Sequence, residues 1–93
     1  MFLRMYNVLY TSEARSFIEA CDKKIKRQLK AAIERIAVTP EIGKRLTQEL
    51  SRFWSYRSGD YRIIYRVSHS EIVVVIVAIG HRSDVYEKMS RKL

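Results

Sequence analysis

FWSYRSGDYRIIYRV, residues 53–67, is the stretch that decides the fold. Two β-prone runs, Arg52 to Arg57 and Tyr61 to Val67, flank the glycine-containing turn Ser58-Gly59-Asp60, which predicts a β-hairpin. Side chains alternate across a strand. Phe53, Ser55 and Arg57 therefore share one face of the first strand, and Arg52, Trp54 and Tyr56 the other. In its partner, Arg62, Ile64 and Arg66 stand against Tyr61, Ile63, Tyr65 and Val67. The apolar and aromatic set belongs on the core side, so Arg62 and Arg66 point away from it. The face taken by Arg57 depends on the hairpin register, which the sequence leaves open.

Working outward, the hairpin is preceded by two helices. Leu3 to Tyr10 reads as a strand. Thr11-Ser12 offers an N-cap, and a helix is expected from Glu13 to Cys21. Asp22 caps a second helix in which Ile25, Leu29, Ala32, Ile33 and Ile36 recur at helical spacing. Lys23, Lys24, Lys26, Arg27, Lys30 and Arg35 lie off that stripe. The helix must stop before Pro40, because the residue before a proline is pushed out of the helical region. Glu41 to Ser51 reads as an irregular arm. Beyond the hairpin, a polar turn at Ser68 to Ser70 leads into Glu71 to Ile79, whose apolar run suits a central strand covered on both sides. A short helix is expected from about Ser83. The order is β-α-α-β-β-β in one domain spanning residues 1–93. It predicts an α+β fold, with two N-terminal helices on one face of a twisted, mostly antiparallel four-stranded sheet and the other face free for function.

Composition narrows the function. With 93 residues the chain suffices for one domain. Eighteen Lys and Arg against ten Asp and Glu give a net charge of +8, which fits a polyanionic partner. The single Cys21 excludes an internal disulfide framework and a thiolate zinc cluster, and with two histidines and no acidic cluster no metal or other cofactor is expected. Ile72 to Ile79 is too short to span a bilayer, and the N-terminus lacks a secretory pattern, so a cytoplasmic protein is expected.

The residues able to carry chemistry gather around the end of the central strand. Gly80-His81-Arg82-Ser83-Asp84-Val85-Tyr86 follows it, with Gly80 permitting a sharp exit. Arg62, His81, Arg82 and Tyr86 can then converge on one patch. Guanidinium forks suit a phosphate, and two of them stabilise the extra negative charge of a pentacoordinate transition state. Histidine titrates near neutrality, and a tyrosine can stack on an unpaired base or orient a proton transfer. Trp54, Tyr56, Tyr61 and Tyr65 read as core and rim aromatics. His69, in a serine-rich turn, reads as exposed and without a role.

Taken together, these runs resemble the RelE/ParE toxin superfamily. Phe53 to Val67 resembles its central hairpin, and Val73 to Ile79 followed by Gly80-His81-Arg82-Ser-Asp84-Val-Tyr86 resembles its C-terminal strand and tail. The resemblance implies a microbial RNase-like fold and the toxin half of a type II toxin–antitoxin module, neutralised by a co-expressed antitoxin. In the RelE branch it implies entry into the ribosomal A site and mRNA cleavage by attack of the 2′-hydroxyl on the adjacent phosphate. Arg62 and Arg82 match the phosphate-stabilising arginines, and Tyr86 the C-terminal catalytic tyrosine. Arg57, Arg66, Lys44 and Arg45 are the expected RNA-binding residues. The lysines that serve as base and acid in studied RelE enzymes correspond to Phe53 and Ser55, which do neither job, so proton transfer falls to His81 and Tyr86. The same departure keeps open the ParE branch, which inhibits DNA gyrase without cutting RNA.

Overall fold

The computed structural model describes residues 5–81. The elements in chain order are β1 (Asn7–Tyr10), α1 (Ser12–Ala20), α2 (Lys23–Val38), β2 (Lys44–Arg45), β3 (Trp54–Ser58), β4 (Tyr61–Ser68) and β5 (Val73–His81). Single 3-10 turns at Pro40–Ile42 and Gln48–Leu50 flank β2. None of the helices in the described part is long and apolar enough to cross a membrane.

The helix boundaries follow from side chains that satisfy the first free backbone N–H groups. Thr11 Oγ1 accepts from the Ala14 N–H at 3.1 Å and donates to the Val77 carbonyl at 2.7 Å, so one hydroxyl caps α1 and pins it to β5. Asp22 Oδ1 accepts from the Ile25 N–H at 2.9 Å and starts α2. The second helix ends at Val38, with Thr39 and then Pro40 behind it, as the proline requires.

The sheet runs in the order β1-β5-β4-β3-β2. β1 lies parallel to β5, and every other pair is antiparallel. The parallel pair arises because the α1–α2 hairpin carries the chain back to the end of the sheet where β1 began. The sheet has five strands where four were expected. The fifth is β2, two residues within the arm that pair Lys44 with Ser55 and Arg45 with Trp54. So short a strand leaves no alternating pattern to read. The possible C-terminal helix lies outside the described residues.

A core sits on each face of the sheet. Under the helices, Leu29, Ala32, Ile33 and Ile36 of α2 meet Ile63, Tyr65, Val74, Ile76 and Ile79. On the far face, Phe53, Ile64, Val77 and Ala78 are buried against the half-covered Leu46, Leu50 and Val75. The arm thus folds over part of the face that the sequence pattern assigned wholly to function. A register shift at Ile64/Tyr65 pairs Ile64 with Ala78 and Tyr65 with Ile76, leaving Val77 as an extra residue. This bulge lets Val77 and Ala78 both serve the far-side core.

Tyr65 joins the arm to the sheet. Its side chain is fully buried, and its hydroxyl donates to the Pro40 carbonyl at 2.6 Å and accepts from the Gly43 N–H at 3.1 Å. Burial, chiefly, pushes its phenol up to about 12. The fold therefore favours the neutral phenol. That contribution is fully present below pH 10, the unfolded value, and is lost as pH rises towards 12. The loss is on the order of 2 kcal/mol. In chemical denaturation, the stability gap between the wild type and Tyr65→Phe should hold steady up to pH 10 and narrow above it; a constant gap through pH 12 would show that the phenol ionises freely.

Candidate nucleic-acid interface on the far face of the sheet

The hairpin register decides where the arginines go. Arg57 pairs directly with Arg62, and Ser55 pairs with Ile64 of the far-side core. Arg57 therefore stands on the far face beside Arg62. Alternation along β4 brings Arg66 to that face, and the Lys44–Ser55 pairing brings Lys44. The result is a row of four cations from three strands on the face away from the helices. Arg57, Arg66 and Lys44 are exposed, and Arg62 is half-buried. The Arg57 Nε donates to the Gly59 carbonyl at 3.2 Å, which steers its guanidinium towards the turn. Arg66 lines a cleft of about 320 Å³ with Leu9, Val73 and Val75.

Like charges directly opposite one another destabilise a strand pair by a few tenths of a kcal/mol or more. An anion seated between two guanidiniums reverses the sign, because each fork then makes charge-assisted hydrogen bonds to oxygen. The arrangement suits a phosphodiester backbone lying across β3 and β4.

Other residues fall elsewhere. His81 extends β5, paired with Tyr61; their ring centroids are 4.8 Å apart, and Tyr61 in turn meets Phe17 of α1 at 5.9 Å. Arg62 is paired one position on, with Gly80. Successive positions face opposite ways, so His81 lies on the helix side and Arg62 on the far side. The expected convergence of these two is corrected, and the reason is that Gly80 continues the strand in place of the sharp exit expected of it. Arg45 also faces the helix side, its guanidinium 5.9 Å from the Trp54 ring centre and its Nε donating to the Ser51 carbonyl at 2.9 Å. Arg82 and Tyr86 lie outside the described residues.

Phe53 and Ser55, the positions that the resemblance sets against the RelE lysines, are 8% and 4% exposed and carry no titratable group. His69 is exposed, as expected, yet engaged. Its Nδ1 is 2.7 Å from the Tyr6 hydroxyl and its Nε2 is 3.0 Å from Glu41 Oε2. It ties the start of β1 and the arm to the β4–β5 turn. Tyr6 is 63 residues away, a separation at which no local pattern signals the contact.

The family described as ParE toxin of type II toxin-antitoxin system, parDE, matches residues 8–86. Toxin RelG of Mycobacterium tuberculosis is 32% identical over 89 residues, covering 89% of this chain and 98% of its own. A putative RelE-like toxin protein of Escherichia coli is 24% identical over 92 residues, covering 95% and 97%. The M. tuberculosis toxin–antitoxin complex RelBE2 contains a chain that superposes with a TM-score of 0.76 at 30% identity, covering 89% of this chain and 98% of that one. The isolated E. coli RelE toxin shares the fold, with a TM-score of 0.71 at 22% identity and coverage of 94% and 97%. With strand order, helical hairpin and near full-length matches in agreement, the chain belongs to the ParE toxin family of type II toxin–antitoxin systems, within the RelE/ParE superfamily.

Proposed function

We propose that this chain is a ribosome-dependent mRNA endoribonuclease held in check by a cognate antitoxin. The observation that carries the reading is the cross-strand pair Arg57–Arg62 on the far face, extended by Arg66 and Lys44. In the proposed reaction the RNA 2′-oxygen bonds to the adjacent phosphorus as the bond from phosphorus to the 5′-oxygen breaks. The 2′-hydroxyl proton leaves to a base, and the 5′-oxygen takes up a proton, giving a 2′,3′-cyclic phosphate and a 5′-hydroxyl. Arg62 and Arg82 stabilise the charge gathering on the non-bridging oxygens, and Tyr86 orients a proton transfer. Arg57, Arg66 and Lys44 hold the flanking backbone. His81, on the helix side beside Tyr61, has no part in this scheme. The antitoxin is inferred from likeness to the chain found in the M. tuberculosis RelBE2 toxin–antitoxin complex.

A second reading, inhibition of DNA gyrase without RNA cleavage, is favoured by the burial of Phe53 and Ser55, which leaves β3 without an acid or base on the far face between its start and Arg57. Two measurements separate the readings. Transcript 5′ ends mapped after induction should show cuts at fixed positions within codons, and Arg82→Ala should abolish them and restore growth. Intact transcripts, together with loss of supercoiling by purified gyrase, would select the gyrase reading instead.

A further inference from the structure

Beyond Arg66 the far face changes character. Leu9 pairs with Val75, and Val75 with Arg66, so these side chains stand in line across β1, β5 and β4. Val75 packs against the far-side core, which puts the line on the face that bears Arg57 and Arg62. Two residues along, Val73 pairs with Ser68 on the same face. With Glu71 these residues line the cleft of about 320 Å³. Its floor is aliphatic, with Val73 and Val75 half-buried and Leu9 54% exposed. Arg66, Ser68 and Glu71 supply its polar lining. Ser68 Oγ donates to Glu71 Oε1 at 3.1 Å and accepts from the Glu71 N–H at 3.3 Å, so the acid is held at the cleft. The next residue, Ile72, has a φ of 57°, a left-handed conformation that a β-branched residue adopts only at a cost. Its carbonyl accepts from the Asn7 N–H at 2.9 Å, which ties the strained turn to β1.

We propose that this cleft is a base-selecting subsite, in which an unpaired nucleobase lies on Leu9, Val73 and Val75, Arg66 holds its phosphate, and Glu71 accepts a hydrogen bond from its exocyclic amine. A carboxylate repels phosphate, so Glu71 is of no use for gripping a backbone. It only accepts hydrogen bonds, and the donors that distinguish one nucleotide from another are the N–H groups of the bases. Cytosine, adenine and guanine carry an amine; uracil sets a carbonyl oxygen where cytosine has its amine, and the carboxylate repels it. Unpaired bases are read in this way, through their edges, once a flat face is supported. Continuity with the cation row favours RNA over any other occupant, because Arg66 belongs to both. Four residues of β4, about 13 Å of strand, separate Arg66 from Arg62, so the selected base lies away from the proposed scissile phosphate. The inference rests on the reading that the far face binds RNA, and adds to it a preference at one base.

The test uses the full chain, isotope-labelled, with oligocytidylate and oligouridylate of equal length. Oligocytidylate should shift the methyl signals of Leu9, Val73 and Val75, whereas an abasic ribose-phosphate oligomer should shift only the Arg57–Arg62–Arg66 row. Oligocytidylate should bind about tenfold more tightly than oligouridylate. Glu71→Gln supplies an amide that both donates and accepts, so it should erase the preference by raising the affinity for oligouridylate. A merely structural role for Glu71 would move both affinities together. Leu9→Ser, at an exposed position, should weaken both oligomers by similar factors and keep the wild-type circular dichroism. Five outcomes would overturn the proposal: no binding, equal affinity for the two oligomers, a preference untouched by Glu71→Gln, shifts confined to the arginine row, or cleft signals that respond only to raised protein concentration, which would assign the cleft to self-association. None of these readouts depends on cleavage. The nuclease reading is decided by the map of transcript 5′ ends, so the two failures are distinct.

Discussion

On the proposed nuclease reading, Arg62→Ala should lower the rate of RNA cleavage by about 100-fold or more, the usual loss when a preorganised charge partner of the transition state is removed. Arg62 is half-buried on the central strand β4, directly opposite Arg57 on β3 and Gly80 on β5. A half-buried guanidinium loses less freedom on gripping a phosphate than an exposed one does. Arg62→Lys keeps the charge but loses the planar fork, and should recover only part of the rate. Arg57 is exposed and turned towards Gly59, so Arg57→Ala should act mainly on RNA affinity and on its salt dependence. Single-turnover cleavage on programmed ribosomes separates the two effects. Thermal unfolding of each variant shows whether the fold survived. A folded Arg62→Ala protein that cuts at the wild-type rate would remove this face from the mechanism.

Gly43→Ala should destabilise the protein by about 3 kcal/mol, although its φ of −81° suits any residue. The obstacle is space. A Cβ there would sit 2.6 Å from the Tyr65 hydroxyl oxygen and 2.7 Å from the Ser55 carbonyl oxygen. The second of these is backbone in the middle of β3 and cannot turn aside. To make room, the arm must lift, and then Tyr65 loses both its acceptor, the Pro40 carbonyl, and its donor, the Gly43 N–H. Lifting the arm also uncovers Phe53, because Leu46 and Leu50 come with it. For a domain whose whole stability is of order 5–15 kcal/mol, that is a large fraction. Urea denaturation reads it directly. Tyr65→Phe in the Gly43→Ala background should then cost much less than it does alone, since the hydroxyl's partners are already gone.

The two results bear on each other. The arm that Gly43 and Tyr65 fasten carries Lys44, and it roofs the far-side core on which the arginine row stands. On the proposed reading, a chain weakened at Gly43 is therefore expected to lose grip on RNA before it unfolds.

Much of this molecule is written in local patterns. The caps Thr11 and Asp22, the helical stripe from Leu29 to Ile36, the stop before Pro40 and the hairpin turn at Gly59 each depend on neighbours within a few residues, and short-range rules reach that far. The separation of Arg62 and Arg66 from Ile63 and Tyr65 was legible for the same reason, since alternation needs only one strand. The position of Arg57 was not, because it depends on register, a relation between strands. Nor was the placement of His81. Gly80 permits an exit from the strand but does not compel one, and the pairing of Tyr61 with His81 holds the strand straight through it. The parallel β1–β5 pair, the two-residue β2, the roof of Leu46 and Leu50, and the Tyr6–His69–Glu41 chain all join segments distant in sequence. Periodicity states which side of an element is apolar. Which other element covers that side is settled when the whole chain packs, because burial is shared among all the surfaces that compete for it.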